Sequence, residues 1–246
     1  MATAPARVPS GLLLVNKPSG VTSHDAVQVV RRKLGLRRIG HTGTLDPMAE
    51  GLLVLLVGPS TKFQRDFQSH DKTYQAVIRL GTQTDTGDRD GSPVKTAAVP
   101  PLTPEQVARV LASLEGMQSQ VPPSYSAVKV HGRPAYWWAR RKQPVVLAAR
   151  TVRLASLTLV ACEAGAITVR VDCSAGTYIR TLAELVAERL GTVGHVGELV
   201  RLRVGRWTLE EAKSLAWLRE AAPEAVAGAL QPVTVAPRAA PPVSAG

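Results

Sequence analysis

Residues 40–57 read GHTGTLDPMAEGLLVLLV, and this stretch decides the fold because it joins a glycine-punctuated loop to an uninterrupted apolar run. The run, residues 52–57, predicts a buried strand. Glycine permits backbone geometries and close approaches that a Cβ atom would forbid, and Pro47 stiffens the chain directly after Asp46. The stretch therefore predicts a loop that presents the Asp46 carboxylate beside a buried strand, although an isolated Asp-Pro pair is by itself more typical of a structural turn.

The composition is that of a folded protein with a polyanionic partner. Of the 246 residues, 45% are apolar, and the length allows one large domain or two smaller ones. The 30 Lys and Arg residues exceed the 19 Asp and Glu residues by 11, and this excess favours nucleic acid as the partner. No apolar run approaches the length of a bilayer span, and no basic amphipathic helix carries aromatic anchors, so no membrane partner is predicted.

The sequence predicts neither a metal site nor a cofactor site. The acidic loop 81–91 lacks the spacing of an EF-hand, and the chain contains no Gly-Lys-Ser/Thr phosphate loop. Cys162 and Cys173 form neither a disulfide framework nor a zinc-ligand spacing, which favours a reducing cytoplasm. The apolar run at 12–15 is too short for the core of a secretory signal.

Hydrophobic periodicity predicts strands interrupted by single helices. This order, with hairpin-like strand pairs, is typical of a mixed α+β sheet and not of a regular βαβ array. The strands are predicted at about 11–17, 52–57, 72–80, 121–130, 150–162, 166–173 and 197–204. The helices are predicted at about 23–34, 61–69, 103–116, 136–142, 177–190 and from 208.

Two basic segments have alternative interpretations. In residues 136–142, YWWARRK, aromatic and cationic side chains lie together, which suits RNA, whereas packing at the edge of the core is the favoured interpretation. The cations at the end of the helix predicted at 23–34 are as typical of a solvated helix end as of a contact with RNA phosphates.

Five ordered motifs resemble one family. Together they are similar to the TruB family of pseudouridine synthases, whose bacterial members modify the uridine at position 55 in the T-loop of tRNA. The likeness extends over about residues 11–204. The motifs are NKPSGVTS at 16–23, GHTGTLDP at 40–47, DKTY at 71–74, PSYSAVK at 123–129 and CSAGTYIRT at 173–181.

The resemblance implies a fold and a set of domains. The fold is the family's α+β fold, a central, mostly antiparallel mixed sheet of two fused halves with flanking helices and an active-site cleft. The expected domains are a flexible N-terminus at 1–10, a catalytic domain at 11–204, a short helical remnant at 205–222 and a disordered Ala/Pro-rich tail at 223–246. Members of the family commonly carry a further RNA-binding domain after the catalytic part, and that module is expected to be shortened or absent here.

The resemblance also implies the roles of individual residues. Asp46 matches the nucleophilic aspartate, Arg180 the arginine that pairs with it, and Tyr74 the tyrosine that stacks on the target base. His41 matches the histidine that supports the flipped-out loop of the RNA. The remaining substrate-binding residues are Tyr178 and Leu199, which match residues that line the pocket, and Lys17, which resembles a supporting lysine. Position 200, where the family tends to have a second arginine, is a valine in this sequence, which puts one RNA contact in doubt.

The family's reaction explains these residue types. Pseudouridine formation breaks the bond from ribose C1′ to uracil N1 and joins C1′ to C5, without metal or organic cofactor. An ionised carboxylate at Asp46 can add to uracil C6 or react at C1′, and Arg180 would keep it charged. Tyr74 can stack on the base and take part in the loss of the C5 proton. The uridine must first flip out of the T-loop, at a cost of roughly a few kcal/mol.

The implied partner is the T-arm of tRNA, bound by a monomer in the cytoplasm. Two alternatives stay open: a non-catalytic tRNA-binding or tRNA-folding chaperone, and a related synthase that acts on another RNA or is guided by a partner complex. The joint presence of Asp46, Tyr74 and Arg180 argues against pure binding.

Overall fold

A ten-stranded mixed sheet organises the computed structural model, which describes residues 8–143 and 145–234. Two strand pairs, β1 with β14 and β3 with β12, are parallel, and the other described pairs are antiparallel. The predicted α+β class with a mostly antiparallel sheet is confirmed. The strands are β1 Gly11–Lys17, β2 Ile39–His41, β3 Glu50–Val57, β4 Lys72–Leu80, β5 Thr82–Thr84, β6 Pro93–Thr96, β7 Gly116–Gln120, β8 Lys129–Val130, β9 Arg133–Pro134, β10 Arg150–Glu163, β11 Ala166–Cys173, β12 Gly194–Val204, β13 Trp207–Thr208 and β14 Lys213–Ser214.

Helices flank this sheet. They are α1 Ser23–Leu34, α2 Gln64–Gln68, α3 Pro104–Ser113, α4 Ala135–Ala139, α5 Ile179–Arg189, α6 Leu215–Glu220 and α7 Pro223–Gly228, with 3₁₀ turns at Gly58–Phe63 and Leu209–Glu211. The predicted bounds of α1 are confirmed because its end signals are strong. Thr22 and Asp25 form a capping box, and Gly35 ends the helix in the left-handed conformation at φ 63°.

The apolar run 52–57 forms most of β3, which lies between β1 and β12 in the sheet order. Both of its faces are buried. Leu53, Leu55 and Val57 pack into the larger core cluster, whereas the alternate residues of the strand pack into a second cluster with Phe67 and Trp207. A strand that is covered on both faces needs no polar alternation, which explains the continuous run.

The segment after Val204 differs from the predicted remnant and tail. Strand β13 pairs with β12, and β14 pairs with β1, so residues 205–222 complete the main sheet. The predicted disordered tail is wrong for its first part, because α7 forms at Pro223–Gly228 and buries Val226 completely. Proline at the first helical position and the following alanines favour this helix. Residues 235–246 lie outside the described residues, as do residues 1–7 of the predicted flexible N-terminus.

Three other sequence predictions need correction. The acidic loop contains part of a hairpin, in which β5 pairs with β6. The strand predicted at 121–130 is irregular except for β8, which is consistent with two prolines that cannot donate to a ladder. Strand β7 was not predicted, because its sequence GMQSQ lacks strand-forming residues, and its pairing with β10 is set by tertiary structure.

The aromatic and basic segment is not buried as core. Of helix α4 only Ala135 is fully buried, while Tyr136 is exposed and both tryptophans are half-buried. The guanidinium of Arg141 lies 3.6 Å from the ring centre of Trp137, so cation and ring cover each other at the surface. Among the helices of the described residues, none combines the length and the apolar character that crossing a membrane would require.

Candidate active site

Asp46 and Arg180 form a paired carboxylate and guanidinium. The Arg180 Nε atom lies 2.9 Å from Asp46 Oδ2, and Nη2 lies 3.3 Å from Oδ1. The side chain of Arg180 is only 5% exposed, whereas that of Asp46 is 32% exposed. The buried guanidinium therefore holds a carboxylate that remains accessible, and two contacts fix its orientation.

Arg180 is itself fixed by three further groups. Its side chain donates to the carbonyls of Thr86 and Tyr125, each at 2.8 Å. Nη1 also lies 3.7 Å from Oδ2 of Asp88, whose side chain is 7% exposed. Asp88 was missed from the sequence, since it is one of several acids in the loop 81–91 and nothing in their spacing singles it out. The guanidinium thus lies between two carboxylates and two carbonyls.

In the reaction that the family resemblance implies, we expect Asp88→Asn to lower turnover roughly tenfold to a hundredfold with little change in RNA affinity, because the neutral amide interacts more weakly with Arg180. Single-turnover rates and Kd values for the RNA substrate test this. Asp172→Asn is the matched control, since Asp172 pairs with Arg203 at 2.9 Å and forms no ion pair with Arg180. Equal turnover in the two variants would contradict the positioning role of Asp88.

The loop that carries Asp46 is held by hydrogen bonds to its backbone carbonyl groups. Each carbonyl from residue 43 to residue 48 accepts a hydrogen bond. The donors are Arg201 for Gly43 and Thr44, Ser23 for Leu45, the Ala49 amide for Asp46, Lys17 and the Gly20 amide for Pro47, and Ser19 for Met48. Such a loop is preorganised, so little reorganisation is needed when a substrate binds.

Lys17 is fully buried at the end of β1. Its ammonium donates to the carbonyls of Pro18 at 2.9 Å, Val21 at 2.6 Å and Pro47 at 3.2 Å. Burial lowers the pKa of Lys17 to about 8, and the nearby carboxylates of Glu50 and Asp46 partly oppose that change. The predicted supporting lysine therefore contacts the backbone of Pro47, the residue that follows Asp46.

This pKa predicts how stability depends on pH. Between a folded pKa of about 8 and the ordinary value of 10.5, the unfolded chain binds more protons at Lys17 than the folded chain. The contribution of Lys17 to the free energy of unfolding therefore rises with pH in this window. Relative to Lys17→Met, the unaltered chain should gain on the order of 1 kcal/mol between about pH 7.5 and about pH 9.5.

Urea unfolding at both pH values measures this difference. Lys95→Met, which replaces an exposed lysine, is the control and should show no such gain. A gain of the same size in both comparisons, or a decrease for Lys17, would contradict the burial of its charge.

The pKa of the Asp46 carboxyl is raised above its usual value. Burial is the main cause, and the neighbouring Asp88 acts in the same direction, whereas Arg180 and Lys17 lower the pKa. Arg180 therefore offsets only part of the cost of ionising this carboxyl.

Tyr74 and Leu199 lie on one face of the sheet beside the pair. In the antiparallel β4–β12 ladder Tyr74 is opposite Arg201, and Leu199 precedes Arg201 by two residues. Residues in these positions point to the same side. Tyr74 is 7% exposed and Leu199 is 6% exposed. The structure thus brings together two of the predicted substrate-binding residues and adds a buried arginine that sequence reasoning missed.

His41 and Tyr178 flank the site from two elements. His41 is half-buried on β2, and its Nδ1 atom has no hydrogen-bond partner in the described part of the chain. Burial, followed by the charges of Arg201 and His24, lowers the pKa of His41, which favours the neutral ring. Tyr178 is half-buried at the N-cap of α5, two residues before Arg180, and its amide donates to Gln120 Oε1 at 3.0 Å.

Comparison with known proteins agrees with this geometry. Residues 31–179 match the family model described as "TruB family pseudouridylate synthase (N terminal domain)". The chain is 46% identical over 227 residues to tRNA pseudouridine synthase B of Aromatoleum aromaticum, which covers 92% of this chain and 73% of that protein. It is 44% identical over 205 residues to the protein of the same name from Hydrogenovibrio crunogenus, covering 83% of this chain and 68% of that one.

A solved structure is also similar to the chain. A chain of a Cbf5–Nop10–Gar1 complex superimposes with a TM-score of 0.69 at 26% sequence identity. The match covers 90% of this chain and 60% of that chain.

Proposed function

The chain belongs to the TruB family of pseudouridylate synthases, and from this premise we propose that it isomerises uridine 55 in the T-loop of tRNA to pseudouridine. The observation that carries the proposal is the Asp46 carboxylate, which lies 2.9 Å from the buried Arg180 guanidinium and close enough to Tyr74 to raise the pKa of its phenol. The names of the bacterial relatives support tRNA as the substrate. Asp46 is the proposed nucleophile, and no cofactor takes part.

The reaction needs a group that reacts with the nucleotide while the uracil turns. The Asp46 carboxylate performs this step, at uracil C6 or at ribose C1′, and Arg180 stabilises its charged form. The preorganised loop keeps the carboxylate in place when the free base rotates. Tyr74 stacks on the base, and Tyr178 and Leu199 line the pocket around it. The last step transfers the proton from C5 to a base.

The uridine reaches the carboxylate by flipping out of the T-loop. Unstacking costs roughly a few kcal/mol, which stacking on an aromatic ring and contacts to phosphates offset. His41 supports the flipped-out loop, and the net charge of +11 attracts the RNA. We expect the tRNA to bind as a polyanion through its T-arm, to one copy of the chain.

The proposal is tested by incubating the purified chain, without added cofactor, with unmodified tRNA, with a T-arm stem-loop and with an anticodon stem-loop as the control. Pseudouridine is then mapped nucleotide by nucleotide. Product at the T-loop uridine in the first two RNAs and none in the third is the expected result. Product in the anticodon arm would assign another substrate, and binding without product would favour a chaperone.

A further inference from the structure

Arg201 is a buried arginine in the middle of the site. Only 2% of this residue is exposed, although it carries a charge and lies on β12 between Val200 and Leu202. Its side chain donates to the carbonyls of Leu52 at 2.7 Å, Gly43 at 3.1 Å and Thr44 at 3.4 Å. The guanidinium therefore bridges the start of the Asp46 loop and the strand that follows it.

The chain closes tightly around this residue. A Cβ atom on Gly51, which has a φ of 100°, would lie 2.4 Å from the Arg201 carbonyl oxygen. A Cβ atom on Gly43 would lie 3.6 Å from its Nη1 atom. Glycine at position 51 thus lets β3 approach the backbone of β12 at Arg201, whereas a Cβ atom at position 43 would make only an ordinary van der Waals contact.

Arg201 differs from Arg180 in its partners. Within residues 8–143 and 145–234 no carboxylate forms a salt bridge with Arg201, whereas Arg180 has two. A second buried cation, Lys72, is close enough for its pKa to be affected by Arg201. A buried charge without a counter-ion is costly, and the three carbonyls offset only part of that cost. The positive charge of Arg201 can therefore stabilise a neighbouring group that becomes negatively charged.

Tyr74 is the group placed to be stabilised by this charge. It lies directly opposite Arg201 in the ladder and is buried on the same face. Burial raises the pKa of the Tyr74 phenol, and so do Cys173 and Asp46, whereas the charge and the hydrogen-bonding interaction of Arg201 lower it. The pKa is raised overall, so Arg201 offsets only part of the cost of ionising the buried phenol.

We propose that Arg201 is a positioning residue for Tyr74, which it orients and polarises so that the phenolate oxygen can accept the proton from uracil C5. This inference rests on the proposed function and deepens it. The three carbonyl contacts orient the guanidinium, and the ladder register places it on the same face as Tyr74, close enough to lower the pKa of the phenol.

The proton transfer is balanced as follows. Once C1′ is joined to C5, the C5–H bond breaks, and its proton passes to the Tyr74 phenolate. The electron pair of that bond stays in the uracil ring and forms the C5=C6 double bond. If Asp46 had added to C6, the C6–O bond breaks at this stage and its electron pair returns to the carboxylate; if Asp46 had bonded to C1′, that bond broke when C5 attacked C1′. Uracil N1, released from the ribose, takes up one proton, so the isomerisation consumes none overall. Arg201 stabilises the phenolate before the transfer.

The test uses Arg201→Lys and Arg201→Gln, with Arg203→Lys as the matched control. Arg203 is two residues further along β12 and pairs with Asp172. T-arm RNA with hydrogen or with deuterium at C5 of uridine is converted under single-turnover conditions. We expect the Arg201 variants to react about tenfold to a hundredfold more slowly, with Kd changed less than about twofold. We also expect deuterium to slow them further, and not to slow the Arg203 variant.

A rescue distinguishes polarisation from simple support of the loop. Fluorotyrosine at position 74 has a more acidic phenol, so it should restore part of the rate of Arg201→Lys. Slow variants without a deuterium effect and without rescue would overturn the proposal. Loss of folding in both Arg201 variants would do the same, because it assigns the residue to stability alone. Absence of product from the unaltered chain would instead reject the proposed function, and this role with it.

Discussion

Asp46→Asn is expected to lower the turnover of uridine by at least about 10⁴-fold while tRNA binding stays within a few-fold of normal. The amide has nearly the shape of the carboxylate but lacks its charge, so it cannot act as the nucleophile. One oxygen can still accept a hydrogen bond from Arg180, and the backbone contacts of the loop do not involve the side chain. The site should therefore stay assembled but inactive.

Single-turnover assays and equilibrium binding to the same tRNA measure the two effects separately. Asp172→Asn, which neutralises a carboxylate paired with Arg203 and not with Arg180, should retain normal turnover. Near-normal turnover of Asp46→Asn would rule out the nucleophile, and parallel losses of binding and turnover would indicate that the loop had collapsed.

Arg180→Ala is expected to lower turnover by about 10³-fold or more, with a modest loss of RNA affinity. The change removes the group that most strongly lowers the pKa of Asp46, while burial and Asp88 still raise it. Less of the carboxyl is then ionised at neutral pH, and it is no longer oriented. The acidic limb of the rate profile should move to higher pH, because turnover requires the ionised form.

Arg180→Ala also leaves Asp88 without its cation, and breaking a buried pair costs roughly 3–5 kcal/mol of stability. Arg180→Lys retains the charge and serves as the second variant, with a smaller loss of turnover and a smaller change in the pH profile. Melting curves establish that both are folded. A defect confined to affinity, with an unchanged pH profile, would reduce Arg180 to a phosphate ligand.

The sequence predicted the elements whose own signals are strong. Helix α1 has both caps, and β4 is rich in strand-forming residues, so their bounds agree with the structure. Strand β7 and helix α7 were missed, because pairing with β10 and the burial of Val226 determine them. Those contacts join distant parts of the chain, and local composition does not encode them.

The site was predictable only where motifs carried it. Asp46 and Arg180 are 134 positions apart, and their pairing was expected from the family resemblance. Asp88 and Arg201 were not singled out. Arg201 alternates with apolar neighbours like an exposed strand residue, and its burial follows from the position of β12 between β3 and β4. The hydrogen bonds to six successive carbonyls likewise arise from three segments of the chain, at residues 17–23, 49 and 201.

The central claim is that the protein isomerises one uridine of tRNA with the Asp46 carboxylate as its nucleophile. It is tested most directly with tRNA carrying tritium at C5 of every uridine, incubated with an excess of the unaltered chain and, in parallel, of Asp46→Asn. Release of the label from one uridine per tRNA by the unaltered chain, and no release by the variant, is the predicted result. Equal release by both proteins, or no release by either, would contradict it.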